Sequence, residues 1–210
     1  PGVTSGAVAT LRLEKELFRG GFRLVAGVDE VGRGSLFGPV AAAAVILPPE
    51  WLLRRPPSWA GAIDDSKLLS PARRAELAVS ILREASGVGV GLASASEIDS
   101  LNIYRATQLA MVRAVESLPA LPDMLLVDGF PIKDVKYRQM GIPQGDRKSR
   151  SIAAASIVAK VFRDGLMRVF ADLYEGYGLD RNKGYGTEEH IRSLKDKGPT
   201  GLHRTSFKLG

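Results

Sequence analysis

The sequence predicts an α/β fold: a mixed β-sheet flanked by helices, with a small C-terminal helical extension. Three observations lead there. Two apolar, strand-sized runs at residues 22–31 and 39–47 are separated only by a short glycine-rich turn, which favours an antiparallel pair. Helical and strand patterns then alternate. A long helix rich in small residues follows and the chain closes on helical pattern.

The elements read in order as follows. Residues 11–19 carry Leu13, Leu17 and Phe18 on one side of a helix that Gly20-Gly21 ends. The two strands come next, joined by Gly32-Arg33-Gly34-Ser35-Leu36-Phe37-Gly38. Residues 48–57 are proline-rich and read as a loop. Ser70-Pro71 is a helix start with proline at the first helical position, and the helix extends to about residue 85. Residues 87–93 alternate glycine with apolar side chains, the pattern of a strand lying close to other backbone. Ser96 or Ser100 caps the next helix, which carries Ile103, Ala106, Leu109, Ala110 and Val115 and ends by Pro119 and Pro122. Residues 124–127 form a short buried strand that delivers Asp128, and residues 135–140 form a further strand. Residues 151–170 form the long helix, whose Ala153-Ala154-Ala155-Ser156 run permits close packing on a sheet. Residues 187–195 form the last helix, before a basic tail with His203, Arg204 and Lys208.

The composition bounds the function. Of 210 residues, 45% are apolar and 25% charged, which is ordinary for a soluble globular chain. The 29 Lys and Arg against 23 Asp and Glu leave +6, a weak pointer to a polyanionic partner. With no cysteine, disulfides, thiolate zinc sites and cysteine nucleophiles are excluded. No apolar run reaches membrane-spanning length and the N-terminus lacks the order of a signal peptide, so a cytoplasmic protein without membrane partners is expected. The chain begins at Pro1, so trimmed termini are expected.

Asp29 and Glu30 sit inside the apolar strand Val28-Asp29-Glu30-Val31. Neighbouring strand residues point to opposite faces, so at least one carboxylate turns inward, where burial is expensive without a partner. A frayed strand end with two solvated acids explains the pair equally well. Asp128 ends an apolar strand and precedes Gly129. Carboxylates in that place often sit in the functional crevice of α/β sheets, although a turn aspartate before glycine is commoner. Asp164, in mid-helix, fits a solvated residue or an ion pair with Lys160. Taken together, the four acids are oxygen ligands for hard divalent cations of the kind that hydrolyse phosphodiesters. Their separation along the chain leaves convergence in space open.

The turn reads G-x-G-x-x-x-G, which misses the dinucleotide fingerprint. It is either a hairpin turn needing positive φ or a backbone surface that approaches a phosphate or sugar, with Arg33 adding charge. Lys67, Lys148, Arg150, Lys183 and Arg204 are candidate phosphate contacts, and each singly also fits an ordinary surface charge. Tyr185, between Gly184 and Gly186, offers a stacking face or else covers the last helix. His190 and His203 are the two histidines, a thin basis for metal-free acid–base chemistry. There is no G-x-S-x-G and no P-loop.

These blocks resemble ribonuclease HII. The resemblance is carried by Gly27-Val28-Asp29-Glu30-Val31-Gly32-Arg33-Gly34, by Asp65-Ser66-Lys67, and by Glu97-Ile98-Asp99 with Leu101-Asn102-Ile103. It continues through Leu126-Val127-Asp128-Gly129, Gly145-Asp146-Arg147-Lys148-Ser149, the stretch from Ile152 to Asp164, Lys183-Gly184-Tyr185-Gly186-Thr187 and His203-Arg204-Thr205-Ser206-Phe207. It runs in order from about residue 11 to 207.

The resemblance implies a ribonuclease H-like catalytic domain over residues 1–178, with residues 179–210 packing beside its active site. It implies Asp29, Glu30, Asp128 and Asp164 as the catalytic, metal-binding set for Mg²⁺ or Mn²⁺, two ions with substrate bound. Gly32, Arg33, Gly34 and Tyr185 would read a ribonucleotide followed by a deoxyribonucleotide, with Lys67, Lys148, Lys183 and Arg204 in the substrate-binding surface. The implied partners are RNA/DNA hybrids and DNA duplexes containing ribonucleotides. The implied cut is 5′ of the ribonucleotide, leaving 3′-hydroxyl and 5′-phosphate ends, in the service of ribonucleotide removal. A monomer is expected. The family allows a clamp-docking peptide near the C-terminus, and residues 201–210 show no convincing one. Asn182 stands where the family often has His, and Arg147 and Arg150 are bulkier than its usual residues. The segment ahead of the first strand is too short for the extra domain of ribonuclease HIII. The alternatives are a non-catalytic RNA/DNA hybrid-binding module and a junction resolvase-like enzyme on the same fold. Four intact acids argue against the first, and the Gly-Arg-Gly turn with Tyr185 argues against the second.

Overall fold

The computed structural model describes residues 9–67 and 69–207. Leu68 and the tail residue Lys208 lie outside them. The first helix, α1 (Arg12–Arg19), leads into a five-stranded mixed sheet in the order β3-β2-β1-β4-β5. Strands β1 (Val25–Val31), β2 (Val40–Ile46) and β3 (Gly87–Ala93) are antiparallel neighbours, whereas β4 (Met124–Asp128) and β5 (Gln139–Ile142) run parallel to β1. β1 starts later than its apolar pattern suggests. The amides of Arg23 and Leu24 donate to the Asp123 carboxylate at 2.8 and 2.9 Å instead of joining the ladder.

Helices cover both faces, so β2 is buried along its whole length and reads as the continuous run Val-Ala-Ala-Ala-Ala-Val-Ile. On one side α3 (Pro71–Glu84) and α6 (Arg150–Leu173) pack against Ala43 and Val45. On the other, α5 (Ile103–Glu116) packs against Ala26, Val28, Ala42 and Ala44. Ser70 caps α3 as expected. The glycines of β3 do lie against backbone: a Cβ on Gly89 would meet the Ala114 oxygen of α5 at 2.1 Å. Gly27 does the same for α6, where a Cβ would stand 2.1 Å from the Ser151 carbonyl carbon. That contact lets α6 cross β1 at backbone distance just ahead of the two acids.

Four local expectations are corrected. Residues 48–57 are not all loop: α2 (Glu50–Leu53) forms there, seating Trp51 edge-on against Trp59 at 5.5 Å. The helix after β3 is two helices, α4 (Ala95–Leu101) and α5. Ser94 and Glu97 make a reciprocal capping box on α4, and Asn102, at φ 70°, caps α5. Neither Ser96 nor Ser100 is the cap. β5 lies further on than residues 135–140, because the Gln139 side chain closes the preceding loop through two 2.7 Å bonds to the Ile132 main chain. The C-terminal segment adds a short helix, α7 (Leu179–Asn182), before α8 (Glu188–Lys197), which Thr187 caps. Among the described residues no helix is long and apolar enough to cross a membrane.

Candidate active site

The parallel register Val28↔Val127 brings Asp29 and Asp128 side by side at the C-terminal ends of adjacent strands. Both turn toward α6, with Glu30 next to them. Asp29 is 6% exposed. Desolvation pushes its carboxyl well above the usual range, and the charges of Glu30 and Asp128 push the same way, while the Ser156 hydroxyl on α6 opposes them. Glu30 is also raised, by burial first, against the pull of Arg33, which donates to it at 3.1 Å. The Asp128 carboxylate accepts from the Gly145 amide at 2.6 Å. The three acids therefore lie within electrostatic reach of one another at the end of the sheet, Asp29 and Glu30 desolvated.

Asp164 sits differently. It lies on the α6 face of Ser156 and Lys160, two turns or about 12 Å beyond Ser156. Lys160 donates to it at 2.8 Å, and Arg74 stands 3.8 Å away. Among the described residues, no three acid or histidine side chains surround a single point closely enough to hold a metal ion as they stand. What fits a hard divalent cation is the donor chemistry: Asp29 is buried beside Glu30 and Asp128, and among the described residues no basic side chain pairs with it.

The glycine-rich turn is held from two directions. A Cβ on Gly32 (φ 88°) would meet the Arg163 side chain at 2.1 Å. Gly34 has open space around it and an ordinary φ. Leu36 and Phe37 donate to the Gly184 oxygen at 2.7 and 3.3 Å, and Ser35 bridges Tyr185. Tyr185 therefore stands beside the turn, with Lys160 and Arg163 within 6.0 Å of its ring centroid.

The basic residues divide. Lys67 and Lys148 are exposed, and Lys148 donates to the Pro143 oxygen at 2.6 Å. Lys183 is half-buried and donates to the Asp180 oxygen. Arg204, expected as a phosphate contact, turns inward. It is 3% exposed and donates to the main-chain oxygens of Gly38 and Arg33, both at 2.9 Å. Arg150 likewise turns to the Ala9 oxygen at 2.9 Å. Of the unusual residues, Asn182 is buried and brackets the tyrosine loop, donating to Tyr177 at 2.6 Å and accepting from Gly184 at 2.8 Å. Arg147 pairs with the buried Asp65 at 3.2 Å.

Sequence reasoning missed several contributors. Ser156 is joined to Ser66 at 2.7 Å. Asp146 is buried beside Asp128, and its carboxyl is raised by desolvation and then by Asp128 and Asp65. Fully buried Arg163 ties three carbonyls together. An arginine mid-helix in an apolar stretch is the one signal that pointed to the last of these.

A mixed sheet of this order with acids at the ends of its parallel strands defines a ribonuclease H-like nuclease. Ribonuclease H2 from Pyrococcus horikoshii superposes with a TM-score of 0.70 over 88% of this chain and 93% of its own, at 26% identity. The ribonuclease HII of Ligilactobacillus salivarius is 48% identical over 94% of this chain and 74% of its own length, and that of Herpetosiphon aurantiacus is 50% identical over 93% of both. The Ribonuclease HII family profile matches residues 26–210, and the chain belongs to that family of endoribonucleases.

Proposed function

We propose that this protein hydrolyses the RNA strand of RNA/DNA hybrids and nicks duplex DNA on the 5′ side of single embedded ribonucleotides, leaving 3′-hydroxyl and 5′-phosphate ends. The observation that carries this reading is the juxtaposition of the Asp29–Asp128 pair with a glycine turn that is clamped to Tyr185. Asp29, Glu30 and Asp128 would hold Mg²⁺ or Mn²⁺, and Asp164 would join them by exchanging Lys160 for metal. When bound, a pair of such ions supplies Lewis-acid activation of water and neutralises charge developing on the leaving oxygen.

The chain's own groups do the rest. The 2′-hydroxyl is the one sugar group that separates RNA from DNA, and the Gly32-Arg33-Gly34 backbone can approach it, since Gly34 leaves the surface bare. The Tyr185 ring would stack on the following deoxyribose. Arg33, Lys67, Lys148 and Lys183 would contact phosphates and make binding salt-dependent. In this reading residues 1–178 form the catalytic unit, and residues 179–210 form an arm whose task is to set Tyr185 against the turn. The deciding assay is a DNA duplex carrying one ribonucleotide, incubated with Mg²⁺, with Mn²⁺ or with a chelator. A metal-dependent nick immediately 5′ of the ribonucleotide is expected. Binding without a nick would make the protein a hybrid-binding module. Cleavage of long RNA tracts alone would remove the junction-reading roles of the turn and Tyr185.

A further inference from the structure

We propose that His190 and His203 are positioning residues that fix the main chain of Tyr185 through one defined arrangement of their protons, so that the ring is presented at the ribose junction. The inference rests on the junction-reading role of Tyr185 given above. The two histidines are 0% and 5% exposed and face each other, with Nε2 to Nε2 at 3.2 Å. One nitrogen of that pair must donate and the other accept.

The surrounding backbone decides which. The Thr200 amide donates to His203 Nδ1 at 2.9 Å, so that nitrogen carries a lone pair and the proton of His203 sits on Nε2. His190 Nε2 then accepts, which places the His190 proton on Nδ1. That nitrogen faces the Tyr185 main-chain oxygen at 3.0 Å. The relay therefore runs one way, from a backbone amide in the tail through two rings to a backbone carbonyl in the tyrosine loop. Neither end can reverse its polarity.

The same tyrosine oxygen accepts from the Thr187 amide at 2.8 Å, and its amide donates to the Asn182 oxygen at 3.0 Å. Its peptide is thus held on both sides, and with it the direction of the Cα–Cβ bond from which the ring projects. The rings of Phe37 and Tyr177 wall in His203 at 4.8 and 5.0 Å. Burial lowers both imidazoles, which agrees with a neutral relay. A buried polar pair is costly unless every group is satisfied, and a purely structural position could be filled by apolar side chains. The relay is satisfied at both ends and terminates on the residue that reads the junction.

The test is the ratio of kcat/KM on the single-ribonucleotide duplex to that on a long RNA/DNA hybrid. It is measured for the wild type, His190→Asn, His190→Phe, Tyr185→Ala and the His190→Phe/Tyr185→Ala double variant. His190→Phe removes the donor and should lower the ratio by about fivefold, the worth of one hydrogen bond. His190→Asn keeps an N–H where Nδ1 stood but not the acceptor for His203, and should give a ratio between those of His190→Phe and wild type. In the Tyr185→Ala background His190→Phe should change the ratio no further. If Tyr185→Ala lowers the ratio but His190→Phe does not, the positioning role is wrong. If Tyr185→Ala itself leaves the ratio unchanged, the reading of Tyr185 fails and this inference falls with it. Imidazole ¹⁵N NMR of the wild-type protein gives an answer even where a variant does not fold. Protons on His203 Nε2 and His190 Nδ1 are expected, and the opposite arrangement would overturn the proposal.

Discussion

Arg163 on α6 donates through Nη1 to the main-chain oxygen of Lys183 at 2.9 Å, while its other two nitrogens reach Pro39 at 3.0 Å and Phe37 at 3.1 Å. One buried guanidinium therefore binds the helix that carries Asp164 to both the glycine turn and the tyrosine loop. Burial lowers its pKa, but guanidinium starts so high that it stays charged. Its planar fork serves three acceptors that an ammonium group could not span.

Arg163→Met should leave buried carbonyls without donors and destabilise the protein by about 3 kcal/mol. Arg163→Lys should rescue little of that loss. Urea unfolding midpoints measure both. A cost under about 1 kcal/mol for Arg163→Met would show that the carbonyls find other donors.

Asp29→Asn should abolish cleavage and leave hybrid binding largely intact. It should also raise stability in the presence of chelator, because it removes a desolvated charge that Glu30 and Asp128 repel. Wild-type turnover in this variant would remove Asp29 from the catalytic set.

Gly32→Ala and Gly34→Ala should separate fold from substrate reading. Gly32 needs its positive φ and its contact with Arg163, so alanine there should cost about 2 kcal/mol or more. Gly34 needs neither, so alanine should leave stability within about 1 kcal/mol of wild type. Its methyl should nevertheless lower cleavage at a single ribonucleotide, read as kcat/KM. Full activity in Gly34→Ala would show that the backbone does not approach the ribose there.

Stability should fall in two acid steps. Burial, and then the proximity of His190, hold His203 down to about 4 against an ordinary 6.5, while burial lowers His190 against the opposing pull of the Tyr185 oxygen and of Glu189, the carboxylate facing it. Because the unfolded chain takes up these protons first, stability is full above 6.5 and declines as pH falls toward 4. Burial opposes the charge of Asp99, but four donors from Thr205 and Ser206 outweigh it and bring its pKa to about 2. That tether contributes above the ordinary 3.8 and is lost as pH falls through about 2. Unfolding midpoints across pH should show the first step shrink in His203→Gln and the second shrink in Asp99→Asn.

Much of the architecture was legible in the sequence because it rests on local periodicity. The apolar strands, the helix start at Ser70, the tight turn that makes β1 and β2 antiparallel and the small-residue helix all follow from short-range sterics and burial. So did the candidate acids, since a carboxylate inside an apolar run is conspicuous wherever it lies. The tertiary structure alone decided which of them share a crevice. Asp29 and Asp128 meet because β1 and β4 pair in parallel at Val28↔Val127, a register set by helices packed on both faces, while Asp164 is held by Lys160 and Arg74. It also decided that Arg163 and Arg204 face carbonyls and that two histidines 13 residues apart form one relay. These are contacts between distant segments, chosen by the requirement that each buried polar group find a partner, and no local pattern in the chain encodes which partner that will be.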